Sequence, residues 1–266
     1  MTFLHQYGPW ALILGASEGI GAAFATQLAE SGMNLILVAR RSQQLEAFAE
    51  ELRASCDVQI RTESLDLGED SLPSDLEERL PNEDIGLVVY NACHSVIAPF
   101  LEQSLEEKRL TVAVNVHGPL AVAHHFGPRL IARGRGGLLL MSSLSGFQGS
   151  ALVGTYAGTK AFITVLGESL WEEWGPQGVD VLVCAAGATL TPNFEAQTPM
   201  EKRSSALPLP AEQVASEALS QLGRGRPTWI PGALNRVVHH SIKNLPRGRA
   251  VRFISGATRK LYEDPT

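Results

Sequence analysis

The sequence predicts an α/β domain built on a doubly wound, parallel sheet of seven strands with helices on both faces. The first observation behind this prediction is that seven short apolar runs alternate with segments of helical spacing. The second is that buried strands separated by helices pair in parallel through crossovers rather than as hairpins. The chain has 266 residues, 44% of them apolar and 19% charged, so it can also bury a full core.

The predicted elements cover most of the chain between residues 10 and 230. The predicted strands are 10–14, 34–39, 58–65, 85–90, 137–142, 179–185 and 228–230. The predicted helices are 19–32, 42–55, 74–80, 105–133, 155–174 and 211–222. Because no linker and no further repeat divides this alternation, we expect a single domain over residues 1–266, with its core at about 10–230.

Apolar residues continue at helical spacing after the last predicted strand. Residues 234–245 and 251–261 predict two helices in a C-terminal extension at about 232–262. Pro246 should separate these helices because proline cannot continue a helix. We expect the extension to pack against the substrate cleft or a partner subunit, and docking on an anionic membrane is the alternative.

Charge is distributed unevenly along the chain. Residues 224–260 contain nine Lys and Arg residues and no acid, while residues 1–223 contain 26 acidic and 13 basic residues. The basic segment has neither interleaved aromatic residues nor a DNA-reading motif. We therefore expect a solvated or subunit-facing surface and no nucleic-acid partner.

Cysteine spacing and hydropathy indicate in which cellular compartment the protein is expected. Cys56, Cys93 and Cys184 show no CxxC spacing, and the histidine pairs at 124–125 and 239–240 diverge on a helix, so we expect neither disulfides nor a metal site. No apolar run approaches the roughly 20 residues that a membrane helix needs, and residues 1–10 lack the layout of a secretion signal. We expect a cytoplasmic protein without membrane association.

A glycine-rich turn stands between the first predicted strand and the first predicted helix, at residues 15–21. Its sequence, Gly-Ala-Ser-Glu-Gly-Ile-Gly, allows a tight turn and a close approach of the backbone to a pyrophosphate, whose charge the helix N-terminus meets. In this position the turn is typical of dinucleotide-binding (Rossmann) sheets. A plain strand-to-helix turn is the alternative.

The end of the second predicted strand bears on the choice of dinucleotide. Folds that prefer NAD usually place an acid here to hold the ribose 2′-hydroxyl, but this chain has Ala39, Arg40 and Arg41. A small residue followed by two guanidinium groups leaves room and positive charge for a 2′-phosphate, which favours NADP(H). The alternative is that both arginines only cap a strand end in solvent.

Tyr156 and Lys160 are four residues apart, so they share one face of a predicted helix. The lysine cation would favour the phenolate and lower the tyrosine pKa toward the range of a general acid/base. The spacing is common in itself. It gains weight because Ser142 and Ser143 end the preceding predicted strand, at the edge where open α/β sheets bind ligands.

In their order along the chain, these motifs resemble the classical short-chain dehydrogenases/reductases over nearly all of residues 10–230. The residues that carry the resemblance are Gly15, Gly19, Gly21, Asp66-Leu67, Asn91-Ala92, Asn115, Ser143, Tyr156 and Lys160. The same run is also similar to the branch of ketoacyl and 17β-hydroxysteroid reductases.

Three places depart from the family pattern without removing a reacting group. They are Leu14, the pair Cys93-His94, and Ala186. His94 either touches substrate or has a structural role.

The resemblance implies catalytic roles for four residues. Tyr156 would donate a proton to the substrate carbonyl, and Ser143 would position that carbonyl; Ser143 rather than Ser142 has the family spacing to the tyrosine. Lys160 would hold the nicotinamide ribose and depress the tyrosine pKa. Asn115 would keep a water in a proton relay to the lysine.

The resemblance also implies contacts with the cofactor, NADP(H). Asp66 would meet the adenine amine, Asn91 would brace the central strands or touch the cofactor, and Thr191 would reach the nicotinamide carboxamide. The residues expected at the dinucleotide are Gly15, Ser17, Glu18, Gly19, Ile20, Gly21, Arg40, Arg41, Asp66, Leu67, Asn91, Ala92, Tyr156, Lys160, Gly187, Thr189 and Thr191.

A hydrophobic ketone, or the corresponding alcohol, is the expected substrate. The long loop predicted at 188–210 carries apolar residues and would form a lid, and no Arg or Lys in the sequence pattern points to a substrate carboxylate or phosphate. The expected function is hydride transfer between NADP(H) and this substrate. The alternative is a non-catalytic dinucleotide-binding redox sensor or scaffold. The family also implies a homodimer or homotetramer through helices 105–133 and 155–174.

Overall fold

The computed structural model describes residues 2–80 and 83–262. Residues 1, 81–82 and 263–266 of the predicted domain therefore lie outside the described residues. The strands are β1 (Trp10–Leu14), β2 (Asn34–Ala39), β3 (Ile60–Ser64), β4 (Ile85–Tyr90), β5 (Gly136–Ser143), β6 (Val179–Ala186), β7 (Thr189–Leu190), β8 (Leu209–Pro210) and β9 (Thr228–Trp229). The helices are α1 (Phe3–Tyr7), α2 (Gly19–Glu30), α3 (Ser42–Ser55), α4 (Leu72–Arg79), α5 (Leu105–Val112), α6 (Gly118–Arg133), α7 (Gly154–Trp174), α8 (Pro192–Gln197), α9 (Met200–Arg203), α10 (Ala211–Gln221), α11 (Ala233–Lys243) and α12 (Arg247–Tyr262).

The main sheet has seven parallel strands in the order β3-β2-β1-β4-β5-β6-β9. The chain builds outward from β1 to β3 and then crosses to the other side of β1, so the order reverses between β1 and β4. Such a reversal opens a crevice at the carboxyl ends of the two strands. The fold class predicted from the sequence is confirmed. Strands β7 and β8 pair separately.

Two apolar clusters fill the space between the sheet and the helices, one on each face. Ala11 and Ile13 of β1 pack with α2, α3 and α10, while Leu12 and Leu14 pack with α4, α6 and α7. This division follows from the period-two geometry of a strand, which points successive side chains to opposite faces. The inner strand β4 is buried along its whole length, whereas the edge strand β3 is partly exposed.

The helix predicted at 105–133 is interrupted by a π-helical turn at Ala113–His117, between α5 and α6. The N–H of Gly118 donates to the carbonyl five residues earlier, so the Val114 carbonyl is released from the helix. The buried Tyr90 phenol donates to that carbonyl at 2.5 Å. A Cβ at Gly118 would lie 2.1 Å from the Tyr90 oxygen, so the phenol requires glycine here. The turn has Asn115 at its centre.

Two regions contain short elements that the sequence pattern does not predict. Helix α1 precedes the sheet, and its Tyr7 phenol donates to the Asp180 carboxylate at 2.8 Å. The segment predicted as a loop at 188–210 contains β7, α8, α9 and β8. These elements have between two and six residues, too few to produce a hydrophobic period.

The C-terminal extension forms α11 and α12, and Pro246 lies between them as predicted. Helix α12 is anchored on the loop that follows β5. The hydroxyls of Ser150 and Thr258 are 2.8 Å apart, and the Ala151 N–H donates to Ser255 Oγ at 3.0 Å. These contacts hold α12 beside the carboxyl edge of the central strands.

No helix within residues 2–80 and 83–262 is long and apolar enough to cross a membrane. The same ranges contain no group of three His, Cys, Asp or Glu side chains placed to hold a metal ion. Cys56, Cys93 and Cys184 are free thiols. The cytoplasmic location stays a prediction.

Candidate active site

A cavity of about 1170 Å³ opens at the carboxyl edge of the main sheet. Residues that follow β1, β2, β3, β4, β5 and β6 form its walls, together with parts of residues 186–206 and of α12. Among the residues predicted for the site, Gly21 and Asn115 lie behind the wall and the others line it. The residues picked out by the sequence thus converge on one cavity.

The turn after β1 has the shape of a dinucleotide cradle. Gly15 and Gly19 have φ angles of +87° and +57°, which side chains rarely tolerate. A Cβ on Gly21 would lie 1.9 Å from the Gly15 carbonyl oxygen, so this position requires glycine. Asn91, just after β4, donates from Nδ2 to the same oxygen at 2.8 Å and so braces β4 against the turn.

Helix α2 begins at Gly19, on the wall of the cavity. Its N-cap residue, Glu18, makes no side-chain hydrogen bond to the first turn, so that side chain does not satisfy the first N–H groups of the helix. Such N–H groups favour an anion. The glycine turn and the start of α2 therefore fit the pyrophosphate of a dinucleotide.

Both arginines at the end of β2 line the cavity, and each lies near a carboxylate. Arg41 Nη2 is 2.9 Å from Glu18 Oε2, and Arg40 Nη1 is 3.8 Å from Asp66 Oδ2. Their side chains stay 59% and 58% exposed, so the planar guanidinium groups keep N–H donors that can reach a phosphate. The sequence pattern did not predict these two partners.

The remaining predicted cofactor residues lie on the walls of the same cavity. Asp66 accepts from the Gly68 N–H at 3.0 Å, which fixes the turn after β3. Thr189 donates from its hydroxyl to the Gly187 carbonyl at 3.1 Å. Thr191 caps α8 by accepting from the Phe194 N–H at 3.2 Å. Local hydrogen bonds therefore hold the cavity-lining segments in place.

Tyr156 lies in the first turn of α7, beside the end of β5. Burial is the largest influence on its phenol and raises the Tyr156 pKa well above its usual value, while a hydrogen bond with Ser143 opposes the rise. The phenol is therefore protonated at neutral pH. This differs from the lowering by Lys160 that the sequence predicted, because the cost of burying a phenolate dominates.

Lys160 is 2% exposed and donates from Nζ to the Met141 carbonyl at 2.8 Å. Its Nζ lies 5.7 Å from the centre of the Tyr156 ring. The buried Ser142 hydroxyl donates to the Lys160 carbonyl at 2.8 Å and so ties β5 to α7. Ser143 instead lines the cavity with Tyr156 and lowers the pKa of that phenol, so the two serines have separate roles.

Asn115 is fully buried and connects three segments around the site. Its Oδ1 accepts from the His94 N–H at 2.9 Å, and its Nδ2 donates to the His94 carbonyl at 2.8 Å and to Thr159 Oγ1 at 3.0 Å. Both N–H donors of the amide are therefore used. Its main-chain carbonyl would accept from residue 119 in a regular α-helix, but Pro119 has no N–H. The relay water expected at Asn115 stays a prediction.

His94 has a structural role through its backbone, which Asn115 clamps. Its ring Nδ1 lies 2.9 Å from Thr111 Oγ1. Burial is the largest influence that lowers the His94 pKa, followed by the positive charge of Arg40. The ring lines the cavity, and contact with substrate stays open.

Helix α12 contributes residues to the cavity wall that the sequence pattern did not single out. The residues of α12 that line the cavity are Ile254, Ala257, Thr258, Lys260, Leu261 and Tyr262. Positions 254, 258 and 261 carry the helical period that predicted the helix. The period showed which face of the helix is apolar, but it did not show which side chains of the protein this face contacts. The expectation that the extension packs against the cleft is confirmed.

Comparison with known proteins agrees with this fold and site. Residues 9–202 match the family model described as short chain dehydrogenase. A 7beta-hydroxysteroid dehydrogenase of Clostridium sardiniense is 32% identical over 236 residues, which cover 89% of this chain and 90% of that protein.

Two solved structures extend the comparison. One, from work on 7beta-hydroxysteroid dehydrogenase stereoselectivity, is 30% identical with a TM-score of 0.89, and the match covers 96% of this chain and 99% of the other. A short-chain dehydrogenase from Sphingobium yanoikuyae in complex with NADPH is 26% identical with a TM-score of 0.77, over 90% of this chain and 97% of the other.

The fold and the cavity define a nicotinamide dinucleotide-binding oxidoreductase that acts on CH–OH and C=O groups. The chain belongs to the short-chain dehydrogenase family, as the resemblance of its motifs implied.

Replacement of Asn115 tests its role as the clamp of the site. Asn115→Ala would leave the His94 N–H and carbonyl without their partners, and we expect a loss of about 2–4 kcal/mol in the free energy of unfolding. Urea denaturation measures this loss. The matched control is Asn193→Ala, an exposed cavity residue, which should change stability little. If Asn115→Ala has the stability of the wild type, the hydrogen bonds of Asn115 to His94 and Thr159 do not stabilise the site.

Proposed function

We propose that the protein is an NADP(H)-dependent oxidoreductase that transfers a hydride between the nicotinamide and a hydrophobic ketone or secondary alcohol. The observation that carries the proposal is that Tyr156, Ser143 and Lys160 line the same cavity as the glycine turn, with Lys160 Nζ 5.7 Å from the centre of the Tyr156 ring. Burial raises the pKa of Tyr156, so its phenol is neutral. A neutral phenol is a proton donor, and a ketone needs a proton on its oxygen when its carbon receives a hydride.

The dinucleotide would be held by the glycine turn at 15–21, the start of α2, and the arginines at the end of β2. When bound, the nicotinamide supplies the hydride for reduction or accepts it in the reverse direction. Two exposed guanidinium groups without an acid at the end of β2 support a preference for the 2′-phosphate of NADP(H). The NADPH in the Sphingobium yanoikuyae structure supports the same choice.

Tyr156 would act as the general acid in reduction and as the general base in oxidation. Its O–H donates to the substrate carbonyl oxygen, and the Ser143 hydroxyl donates a second hydrogen bond that fixes the orientation of the carbonyl. The Lys160 ammonium, 5.7 Å from the tyrosine ring, stabilises the phenolate left after proton transfer.

Reprotonation of Tyr156 would proceed from the side of Lys160 and Asn115. The Asn115 side chain positions Thr159, the residue next to the lysine, at 3.0 Å. The main-chain carbonyl of Asn115 lacks its α-helical donor because of Pro119, which supports it as the acceptor for a relay water.

The substrate would be a bulky apolar carbonyl compound. Ile97, Val153 and Phe194 line the cavity together with residues of α12. A relative whose name gives a hydroxysteroid as substrate supports a substrate of this size and polarity. A redox sensor or scaffold without catalysis is disfavoured because such a protein has no need for Ser143, Tyr156 and Lys160 together.

We expect Tyr156→Phe to lower kcat by about 10²- to 10⁴-fold, because the variant lacks the proton donor. The Kd for NADPH should stay within about twofold, since the ring is retained. Steady-state NADPH oxidation and fluorescence titration measure the two quantities. Tyr262→Phe removes the other tyrosine hydroxyl of the cavity and should retain kcat within a few fold. If Tyr156→Phe keeps most of its kcat, Tyr156 is not the acid.

We expect Arg40→Ala and Arg41→Ala each to weaken NADPH binding by about 10-fold. A 10-fold change in Kd corresponds to about 1.5 kcal/mol, the low end of the free energy of a charge-assisted hydrogen bond. We expect the low end because both side chains are exposed. The Kd for NADH in the same variants is the internal control and should change little. Equal Kd values for NADH and NADPH in the wild type would overturn the preference.

We propose that the chain forms a homodimer or homotetramer through α5, α6 and α7. Val165 on α7 is 63% exposed and Leu120 on α6 is 47% exposed, which leaves apolar side chains for a second copy. Light scattering at micromolar concentration should give a mass of two or four chains, and Val165→Glu should shift it toward one. Val237→Glu, an equal change at an exposed valine of α11, is the control. A wild-type monomer would contradict the proposal.

A further inference from the structure

Lys260 brings a positive charge from the C-terminal helix to the wall of the cavity. It lies on α12, which the sequence predicted to pack against the cleft or a partner subunit without singling out Lys260, and it lines the cavity next to Leu261 and Tyr262. The side chain is exposed at the cavity rather than packed in the core. A cation in this place has a direct bearing on which substrates enter.

Lys260 belongs to the catalytic end of the cavity. Thr258, two residues earlier, contacts Ser150 in the loop that follows β5 at 2.8 Å. Tyr262, two residues later, lies close enough to Tyr156 to raise the pKa of that phenol slightly, although burial remains the main cause. These contacts attach the Lys260 segment to the same loop and helix that carry Ser143 and Tyr156.

The arginines occupy the other end of the cavity. Arg40 and Arg41 follow β2, and three strand spacings, about 14 Å, separate β2 from β5 in the sheet. A dinucleotide that places its 2′-phosphate at these arginines leaves Lys260 to the substrate.

The two ends of the cavity differ in whether acidic residues accompany the basic ones. Glu18 and Asp66 are the acidic residues that line the cavity in the described part of the chain, and both lie at the arginine end, beside Arg41 and Arg40. No carboxylate within residues 2–80 and 83–262 forms an ion pair with Lys260. Among the residues that the structure describes, the catalytic end of the cavity therefore has the Lys260 cation and no carboxylate, which disfavours a cationic substrate and favours an anionic one.

We propose that Lys260 binds an anionic group of the substrate, so that the enzyme prefers a hydrophobic ketone whose far end carries a carboxylate or a phosphate. The inference rests on the proposed function and adds the substrate's charge to it. Lys260 is a specificity-determining residue here and takes no part in proton or hydride transfer.

The test compares two probes that differ in charge and in one methyl group: a 7-ketosteroid whose side chain ends in a carboxylate, and its methyl ester. The wild type should have a KM for the acid about 3- to 10-fold below that for the ester, the range for an ion pair at a partly exposed site. Lys260→Gln should abolish this preference by raising the KM of the acid, with kcat and the Kd for NADPH within about twofold of wild type.

Arg252→Gln is the matched control, because Arg252 is an exposed cation on the same helix that does not line the cavity. It should keep the preference of the wild type. An equal ratio of KM values in wild type and Lys260→Gln would overturn the proposal. An equal loss of preference in Arg252→Gln would also overturn it, because the preference would then come from the overall positive charge of α12 and not from Lys260.

A second pair of probes identifies the source of the anion. A 3-oxoacyl phosphopantetheine thioester and the matching pantetheine thioester differ in one phosphate. If Lys260→Gln removes a preference for the phosphorylated thioester, the anion is a phosphate; if it removes the preference for the steroid acid, the anion is a carboxylate. If Lys260→Gln keeps both preferences, Lys260 does not bind the anionic group and the proposal is wrong.

Failure of the proposed function would be visible separately. If the wild type turns over none of these ketones with NADPH, the substrate class of the proposed function is wrong. Binding of the acid and the ester can still be compared by tryptophan fluorescence in the presence of NADPH. Equal Kd values for the two probes in the wild type would then overturn the role of Lys260 as well.

Discussion

The buried amide of Asn115 is the interaction on which the geometry of the site depends. It joins the loop after β4 at His94, the π-helical turn between α5 and α6, and the second turn of α7 at Thr159. The turn itself exists because the Tyr90 phenol takes the Val114 carbonyl from the helix. Asn115, Tyr90 and Thr159 are buried, so this network has little freedom to move and holds α7, with Tyr156 and Lys160, in place.

Most of the fold was predictable because its elements are long or strongly apolar. β1, β2, β4 and α3 have the predicted bounds, since each has a clear period and a clear stop. The π-helical turn was not predictable, because it depends on a phenol 24 residues earlier in the chain. The short elements between residues 189 and 210 form through tertiary contacts and single caps such as Thr191, which leave no period in the sequence.

The site was predictable in its residues and less so in its electrostatics. Local motifs gave the glycine turn, Ser143, Tyr156 and Lys160, because those residue types recur at fixed spacing. The pKa of Tyr156 follows instead from how much protein surrounds the phenol, and burial reverses the direction that one neighbouring cation implies. The partnership of Arg41 with Glu18 also depends on the three-dimensional course of two turns.

The two halves of the cavity are held in different ways, and this affects how its selectivity can change. The dinucleotide end is built on turns fixed by the parallel sheet, where Gly21 and Asn91 leave no room for variation. Helix α12 pairs with no strand and is anchored by hydrogen bonds to the loop after β5, including that of Arg247 to the Phe147 carbonyl at 2.7 Å. Substitutions on the inner face of α12 can therefore alter the substrate end without disturbing the sheet or the proton donor. Because the substrate end and the proton donor are held by different contacts, the same hydride transfer can act on substrates of different charge and shape.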